Sequence, residues 1–267
     1  TTWKRITTNT HADLYSLSFS NRMNGIAVGQ TILRTSDGGE TWSPTEYGTA
    51  SINLRSISYI NPSNIIAVGG SVILRSSDAG GSWESIGTPN LGPLISVWAS
   101  DAHHVYTGDA NGNLYASQNG GFDWVTISHV SEYPIYRLWG QGNTLFAVTG
   151  YEVFRSTDKG ATWSLRLRAL PLENYFSDFS FINSHIGIVV GGNGIVFLTS
   201  DGGETWKRAK SGSEVTFWAG SFWNTDFGFV VGDSGTILKT SNAGITWERQ
   251  SSGTSSTLYG VSMYDKK

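Results

Sequence analysis

One pattern of eight residues recurs six times along this chain, and it constrains the fold more tightly than any bulk property. The copies are Thr35–Trp42 (TSDGGETW), Ser76–Trp83 (SSDAGGSW), Ser117–Trp124 (SQNGGFDW), Ser156–Trp163 (STDKGATW), Thr199–Trp206 (TSDGGETW) and Thr240–Trp247 (TSNAGITW). The shared form, called the box below, is Ser/Thr-x-Asp/Asn-x-Gly-x-Thr/Ser/Asp-Trp. A headless copy opens the chain as Thr2-Trp3. The terminal residues Trp3, Trp42, Trp83, Trp124, Trp163, Trp206 and Trp247 are spaced by 39, 41, 41, 39, 43 and 41 residues. Chance does not give six such matches at so regular a period.

The rest of each unit repeats as well. Ahead of each box lies an alternating segment: LYSLSF (14–19), LRSISY (54–59), LISVWA (94–99), IYRLWG (135–140), FSDFSF (176–181) and FWAGSF (217–222). A second run ending in Gly follows, such as GIAVG (25–29) or GFVVG (228–232), then a third, such as TILRTS (31–36), that feeds the box. These runs are β-branched or aromatic, alternate with period two and end in turn residues, so they read as strands. Four short strands with their turns fill a period near 41, which is one blade of a β-propeller. The expected fold is all-β: a single β-propeller domain over residues 1–267, of four-stranded antiparallel blades with strands a to d running outward and the box as the c–d hairpin.

Six complete units lie between residues 14 and 247. TWKRI (2–6) reads as a lone strand d and LYGVSMY (258–264) as a lone strand a. The reading is therefore seven blade positions with the last incomplete and closed by the two termini; the alternative is six blades. A two-strand blade would expose unpaired backbone groups, so the expected state is a monomer or a strand-sharing oligomer.

The chemistry of the box is that of a turn. The side-chain oxygen of Asp37, Asp78, Asn119, Asp158, Asp201 or Asn242 can accept backbone N–H groups, the hydroxyl can satisfy another, and the Gly supplies positive φ. The Trp buries a large ring beside the turn and between blades. Asp123 stands where the other boxes carry Thr or Ser, which makes the third copy the weakest.

The box resembles the Asp-box, or bacterial neuraminidase repeat. The whole unit resembles the photosystem II stability/assembly factor family of propellers. That resemblance implies a non-enzymatic binding or assembly scaffold with a protein partner. The absence of Cys and the opening TTWKRITTNT fit the expected location, extracytoplasmic (secreted, periplasmic or lumenal) after removal of a signal; the alternative is cytoplasmic. One scaffold hosts many activities, so the competing reading is a carbohydrate-binding or sialidase-like glycoside hydrolase propeller.

The residues speak against catalysis. Sialidases carry Arg-Ile-Pro near the start and three Arg that clamp a carboxylate; here Lys4-Arg5-Ile6-Thr7 lacks the Pro. Glycoside hydrolysis needs two facing carboxylates, and the box carboxylates repeat with the turns. Asp178, on an inner strand, is the one carboxylate to watch. No catalytic residue is assigned. His103-His104 would point to opposite faces of a strand, a poor metal pair, and neither metal nor cofactor is expected. The chain has no Cys, a net charge of −3 and no apolar run of transmembrane length, so thiol chemistry, nucleic-acid binding and membrane insertion are not expected.

Binding, if the family reading holds, falls to the loop face. Trp98 and Trp139 occupy a column that is Ser18, Ser58, Ser180, Ser221 and Ser262 in the other units, and two adjacent aromatics there could floor a pocket. Near the start of strand a, Tyr15, Arg55, Tyr136, Trp218 and Tyr259 share a column, with Arg137 beside it. Aromatics and Arg are the residue types that anchor protein interfaces.

Overall fold

The computed structural model describes residues 6–8, 10–47, 52–87, 91–170 and 174–263. These build six four-stranded sheets, each a meander in chain order. The first holds β1 (Leu14–Phe19), β2 (Gly25–Gly29), β3 (Ile32–Thr35) and β4 (Ser43–Pro44). The second holds β5 (Ser56–Tyr59), β6 (Ile65–Gly69), β7 (Val72–Ser76) and β8 (Glu84–Ile86). The third is β9 (Leu94–Ala99), β10 (Val105–Asp109), β11 (Asn113–Ser117) and β12 (Val125–His129). The fourth is β13 (Arg137–Gln141), β14 (Thr144–Val148), β15 (Glu152–Ser156) and β16 (Ser164–Arg168). The fifth is β17 (Phe176–Phe181), β18 (Gly187–Gly191), β19 (Val196–Thr199) and β20 (Lys207–Arg208). The sixth is β21 (Phe217–Phe222), β22 (Gly228–Gly232), β23 (Ile237–Thr240) and β24 (Glu248–Gln250).

The chain divides into two compact units. One contains the first three sheets, β13 and the turn Asp158–Thr162; the other contains β14 to β24 and the C-terminal segment. Within each, sheets pack face to face. Ile26, Val28 and Ile32 of the first sheet meet Ile57, Ile65 and Leu74 of the second. In the other unit Ile188, Val190 and Val196 meet Phe217, Val230 and Leu238. The second strand of a sheet is covered on both sides, so β2, β6 and β18 are buried at every position. That is why they read as continuous apolar runs and depart from the period-two alternation expected of them.

Side-chain oxygens stitch the second sheet to the third, the third to the segment leading into β13, and the fifth to the sixth. Val97 and Ala99 donate backbone N–H groups to Ser56 and Ser58 Oγ, each at 3.1 Å, and Ser96 Oγ donates to Ile135 O at 2.6 Å. In the other unit Ser177 Oγ donates to Phe217 O, and Gly220 N donates to Asp178 Oδ2 at 3.2 Å.

The expectation of seven blade positions is corrected to six, the number of sheets among the described residues. Trp3 and most of the expected strand 2–6 lie outside the described residues, as does Tyr264. Leu258–Met263, expected as a lone strand a, is not a strand. Leu258 N donates to Gly232 O at 3.1 Å and Met263 N to Ser221 Oγ at 3.1 Å, while Leu258 and Val261 pack on Ala219, Val231 and Ile237. The segment's apolar pattern records what it packs against. A strand requires in addition a backbone ladder, and no second strand pairs with it among the described residues.

Candidate functional site

The boxes are closed hydrogen-bond systems. In the first, Thr35 Oγ1 donates to Asp37 Oδ1 at 2.7 Å and accepts from Gly39 N at 2.9 Å, and Thr41 N donates to Asp37 Oδ1 at 2.9 Å. The Thr41 hydroxyl takes the other carboxylate oxygen. Asp78 and Asp201 repeat the set, and Asp158 accepts from the amide and hydroxyl of Thr162. The Thr41 hydroxyl and amide hold the Asp37 carboxyl down at about 2; the Ser82 amide and hydroxyl do the same for Asp78, and the Thr205 hydroxyl and amide for Asp201. In the third box Asn119 Oδ1 accepts from Asp123 N at 2.9 Å and its Nδ2 donates to Asp123 Oδ2 at 2.8 Å. The backbone contact keeps its direction, while in the side-chain contact donor and acceptor are exchanged relative to Asp37 and Thr41, and both contacts survive. Asn242 likewise accepts from Thr246 N and donates to the Thr246 hydroxyl.

The box also seals one sheet onto the preceding one. A Cβ on Gly80 would lie 2.4 Å from Ile26 Cδ1, and one on Gly203 would lie 2.5 Å from Phe146 Cε1. Trp83 Nε1 donates to Thr45 Oγ1, in the loop that follows the first sheet, at 3.2 Å. The Asp and Asn side chains of the boxes are thus engaged in their own turns, and Trp42, Trp83 and Trp124 donate to nearby oxygens, while Trp206 Nε1 and Trp247 Nε1 have no hydrogen-bond partner among the described residues.

Four first strands are irregular near their start. Register slips by one residue between Leu14 and Ser16, between Leu94 and Ser96, between Phe176 and Asp178, and between Phe217 and Ala219. Tyr15, Ile95, Ser177 and Trp218 are therefore the extra residues of β-bulges, which redirect a side chain without ending the strand. Glycine makes room for the incoming chain: a Cβ on Gly191 would lie 1.8 Å from Tyr175 O, and one on Gly232 would lie 2.0 Å from Thr216 O.

In the unit of the first three sheets, Arg55 is exposed and its guanidinium lies 4.5 Å over the Tyr15 ring. Tyr136 is exposed, and Arg137 Nη1 donates to the Tyr136 carbonyl at 3.1 Å. Trp98 stacks on Tyr106 of its own sheet, centroids 6.0 Å apart, and Trp139 is half-buried on β13.

In the other unit three rings form a ladder. Tyr175 and Trp218 have centroids 6.1 Å apart, Trp218 and Tyr259 5.4 Å apart, with planes inclined by 50° and 54°. Trp218 Nε1 donates to Asp233 Oδ1 at 2.8 Å, and Thr257 Oγ1 donates to the same oxygen at 3.1 Å. Tyr259 is 68% exposed. Asp178, whose Oδ2 accepts the Gly220 amide, serves the inter-sheet stitching. Sequence reading placed Trp218 and Tyr259 in one column but did not group Tyr175 or Asp233 with them. Tyr175 lies two residues before the bulge residue Ser177, so alignment by column puts it with Asp13; its pairing with Trp218 follows from the bulges. No group of three or more His, Asp or Glu side chains that could hold a metal occurs among the described residues.

Comparison with known proteins gives a consistent pattern. The family described as photosynthesis system II assembly factor YCF48 matches residues 1–133 and 155–261. A photosystem II assembly lipoprotein Ycf48 from Prochlorococcus marinus (strain MIT 9313) is 24% identical over 259 residues, covering 77% of this chain and 77% of that protein. The photosystem II stability/assembly factor HCF136, chloroplastic, from Oryza sativa subsp. japonica is 29% identical over 102 residues, covering 36% of this chain and 24% of the rice protein. The match thus spans about a quarter of the rice protein's length. A solved structure of YCF48 bound to D1 peptide aligns with TM-score 0.77 at 22% identity, over 92% of this chain and 84% of that one. At that identity the likeness shows a shared β-propeller fold.

Proposed function

This chain belongs to the family of the photosynthesis system II assembly factor YCF48, and from that premise we propose that it is a non-enzymatic assembly scaffold that binds a segment of a protein partner. The observation that carries the reading is the division of labour among side chains. The box carboxylates and Asp178 are consumed by turn and inter-sheet hydrogen bonds. In contrast, in one unit the exposed bulge residue Tyr15 lies under the exposed Arg55, and in the other the half-buried bulge residue Trp218 lies beside the exposed Tyr259. Exposed Arg and aromatic groups on rigid strands are typical anchors for a partner chain. The relative solved with a D1 peptide supports a peptide as the ligand. The relative named as a lipoprotein supports an extracytoplasmic place of action.

The test is a panel of synthetic peptides tiling a D1 sequence, titrated calorimetrically against the full chain with a glycan array in parallel. We expect at least one tile to bind, and Trp218→Ala to weaken it by about tenfold or more. Glycan binding that depends on Trp218, with no tile bound, would replace this reading with the carbohydrate one.

A further inference from the structure

We propose that the Tyr175–Trp218–Tyr259 ladder together with Asp233 is a receptor for one cationic side chain, a lysine or arginine of the bound partner. This deepens the partner-binding reading and rests on it.

Two repeats differ in how they use a turn carboxylate. Asp109 and Asp233 both stand at the turn between the second and third strands, one residue apart in register: Asp109 pairs with Leu94 where Gly232 pairs with Phe217, so Asp233 lies one residue further into its turn. Asp109 is fully buried and wholly used by its own turn. Its Oδ1 accepts from Asn111 N and Asn113 N at 2.9 and 2.8 Å, and its Oδ2 from Asn113 Nδ2 and Tyr115 OH at 3.0 and 2.8 Å. Asp233 is partly exposed, and only its Oδ1 is engaged, by Trp218 and Thr257. Its Oδ2 has no partner, and no cation pairs with it, among the described residues.

The surroundings supply what a cation needs. Trp218 is inclined to both of its neighbours, so the three rings form an aromatic corner in place of a flat parallel stack. Indole is the strongest cation-binding ring. Its N–H here donates to a carboxylate, which pushes electron density toward the ring and strengthens the attraction. The corner is preformed. Tyr175 packs over Gly192, where a Cβ would lie 2.9 Å from Tyr175 Cε1, and Trp218 is fixed by its bulge and its hydrogen bond. Little ordering cost remains to be met on binding. A lysine or arginine arriving past the exposed Tyr259 would place its aliphatic stem on the rings and its charge toward Asp233 Oδ2.

The test uses the full chain labelled with 5-fluorotryptophan, the Trp218 resonance being identified by its loss in Trp218→Phe. The probes are the N-acetyl methylamides of lysine, arginine and the uncharged norleucine, and methyl cellobioside. Both cationic probes should shift the Trp218 resonance saturably and norleucine should not. Asp233→Asn keeps an Oδ1 acceptor for Trp218 and Thr257 but removes the charge, and should weaken the cations about fivefold to tenfold. Tyr259→Leu, at an exposed position, should weaken them without changing the thermal midpoint. Equal response to norleucine or the sugar, or undiminished affinity in Asp233→Asn, overturns the proposal. The partner reading is tested separately. A D1 tile that still binds fully with every lysine and arginine replaced by norleucine sinks the cation receptor and keeps the partner. Cationic probes that bind when no tile does keep the receptor and sink the partner.

Discussion

Asp37, Asp78 and Asp201 each hold a carboxyl near 2 by accepting hydroxyl and amide hydrogen bonds, which makes the box turns sensitive to acid in one direction. Their folded values lie below the ordinary 3.8, so the unfolded chain binds more protons in that range. The stabilisation is complete above about pH 4 and lost as pH falls through about 2. We therefore expect the thermal midpoint to drop across that window, and to drop less in Asp201→Asn. Carboxyl midpoints followed by NMR should sit near 2; midpoints at 3.8 would show that the turn bonds do not persist in solution. The glycines of the box make a second residue-scale test. Gly80 has φ of 84° and its Cβ would meet Ile26, whereas Ala79 already adopts φ of 58°. Gly80→Ala should cost about 2–4 kcal/mol through strain and overpacking. Ala79→Gly should be neutral or stabilising by up to about 1 kcal/mol, since only the left-handed backbone is relieved. Urea denaturation ranks the two, and the reverse order would refute the account.

At the scale of elements, what joins successive sheets is a set of polar contacts as much as the apolar faces. Ser58→Ala would strip the acceptor from Ala99 N–H, and should destabilise by about 1–2 kcal/mol in urea. Glu204, in the fifth box, reaches back to Arg155 on β15 and to Arg166 on β16. Arg155 is largely buried, and Glu204→Gln removes the charge opposite both guanidiniums, so a loss of about 1–2 kcal/mol is expected. The matching change at Glu84, 3.6 Å from Arg75 and more exposed, should cost less. These contacts were only partly legible in the sequence. Strands and boxes are written in each repeat as period and turn chemistry, so they could be read directly. The serine column was visible too, but it drew notice for its exceptions, Trp98 and Trp139. That the hydroxyls bond the next sheet depends on neighbours about 41 residues away. The bulges were not legible at all. A bulge is a relation between the registers of two strands, and no single position in either sequence announces it. The aromatic column at strand starts could therefore be proposed, while Tyr175 and Asp233 could not be added to it.

For the molecule as a whole, counting repeats fixed the number of complete units and misjudged what lies after the last one. LYGVSM matches the pattern of a first strand because it covers the same kind of surface, namely Ala219, Val231 and Ile237 of the sixth sheet. Its backbone makes few of the bonds a strand would make. Its contribution to stability should therefore come from apolar cover. Removing residues 258–267 would uncover that patch and free the Gly232 carbonyl and Ser221 hydroxyl, which remain able to bind water. Loss of two half-buried aliphatic side chains should cost about 2–4 kcal/mol, seen as a fall of about 5–10 °C in the thermal midpoint. The newly bared face should bind a hydrophobic dye and favour self-association. Tyr259→Ala, which alters the same segment at a position that is 68% exposed, should leave the midpoint unchanged and serves as the control. If truncation and control behave alike, the segment is not part of the folded core, and the cover assigned to Leu258 and Val261 must be given up.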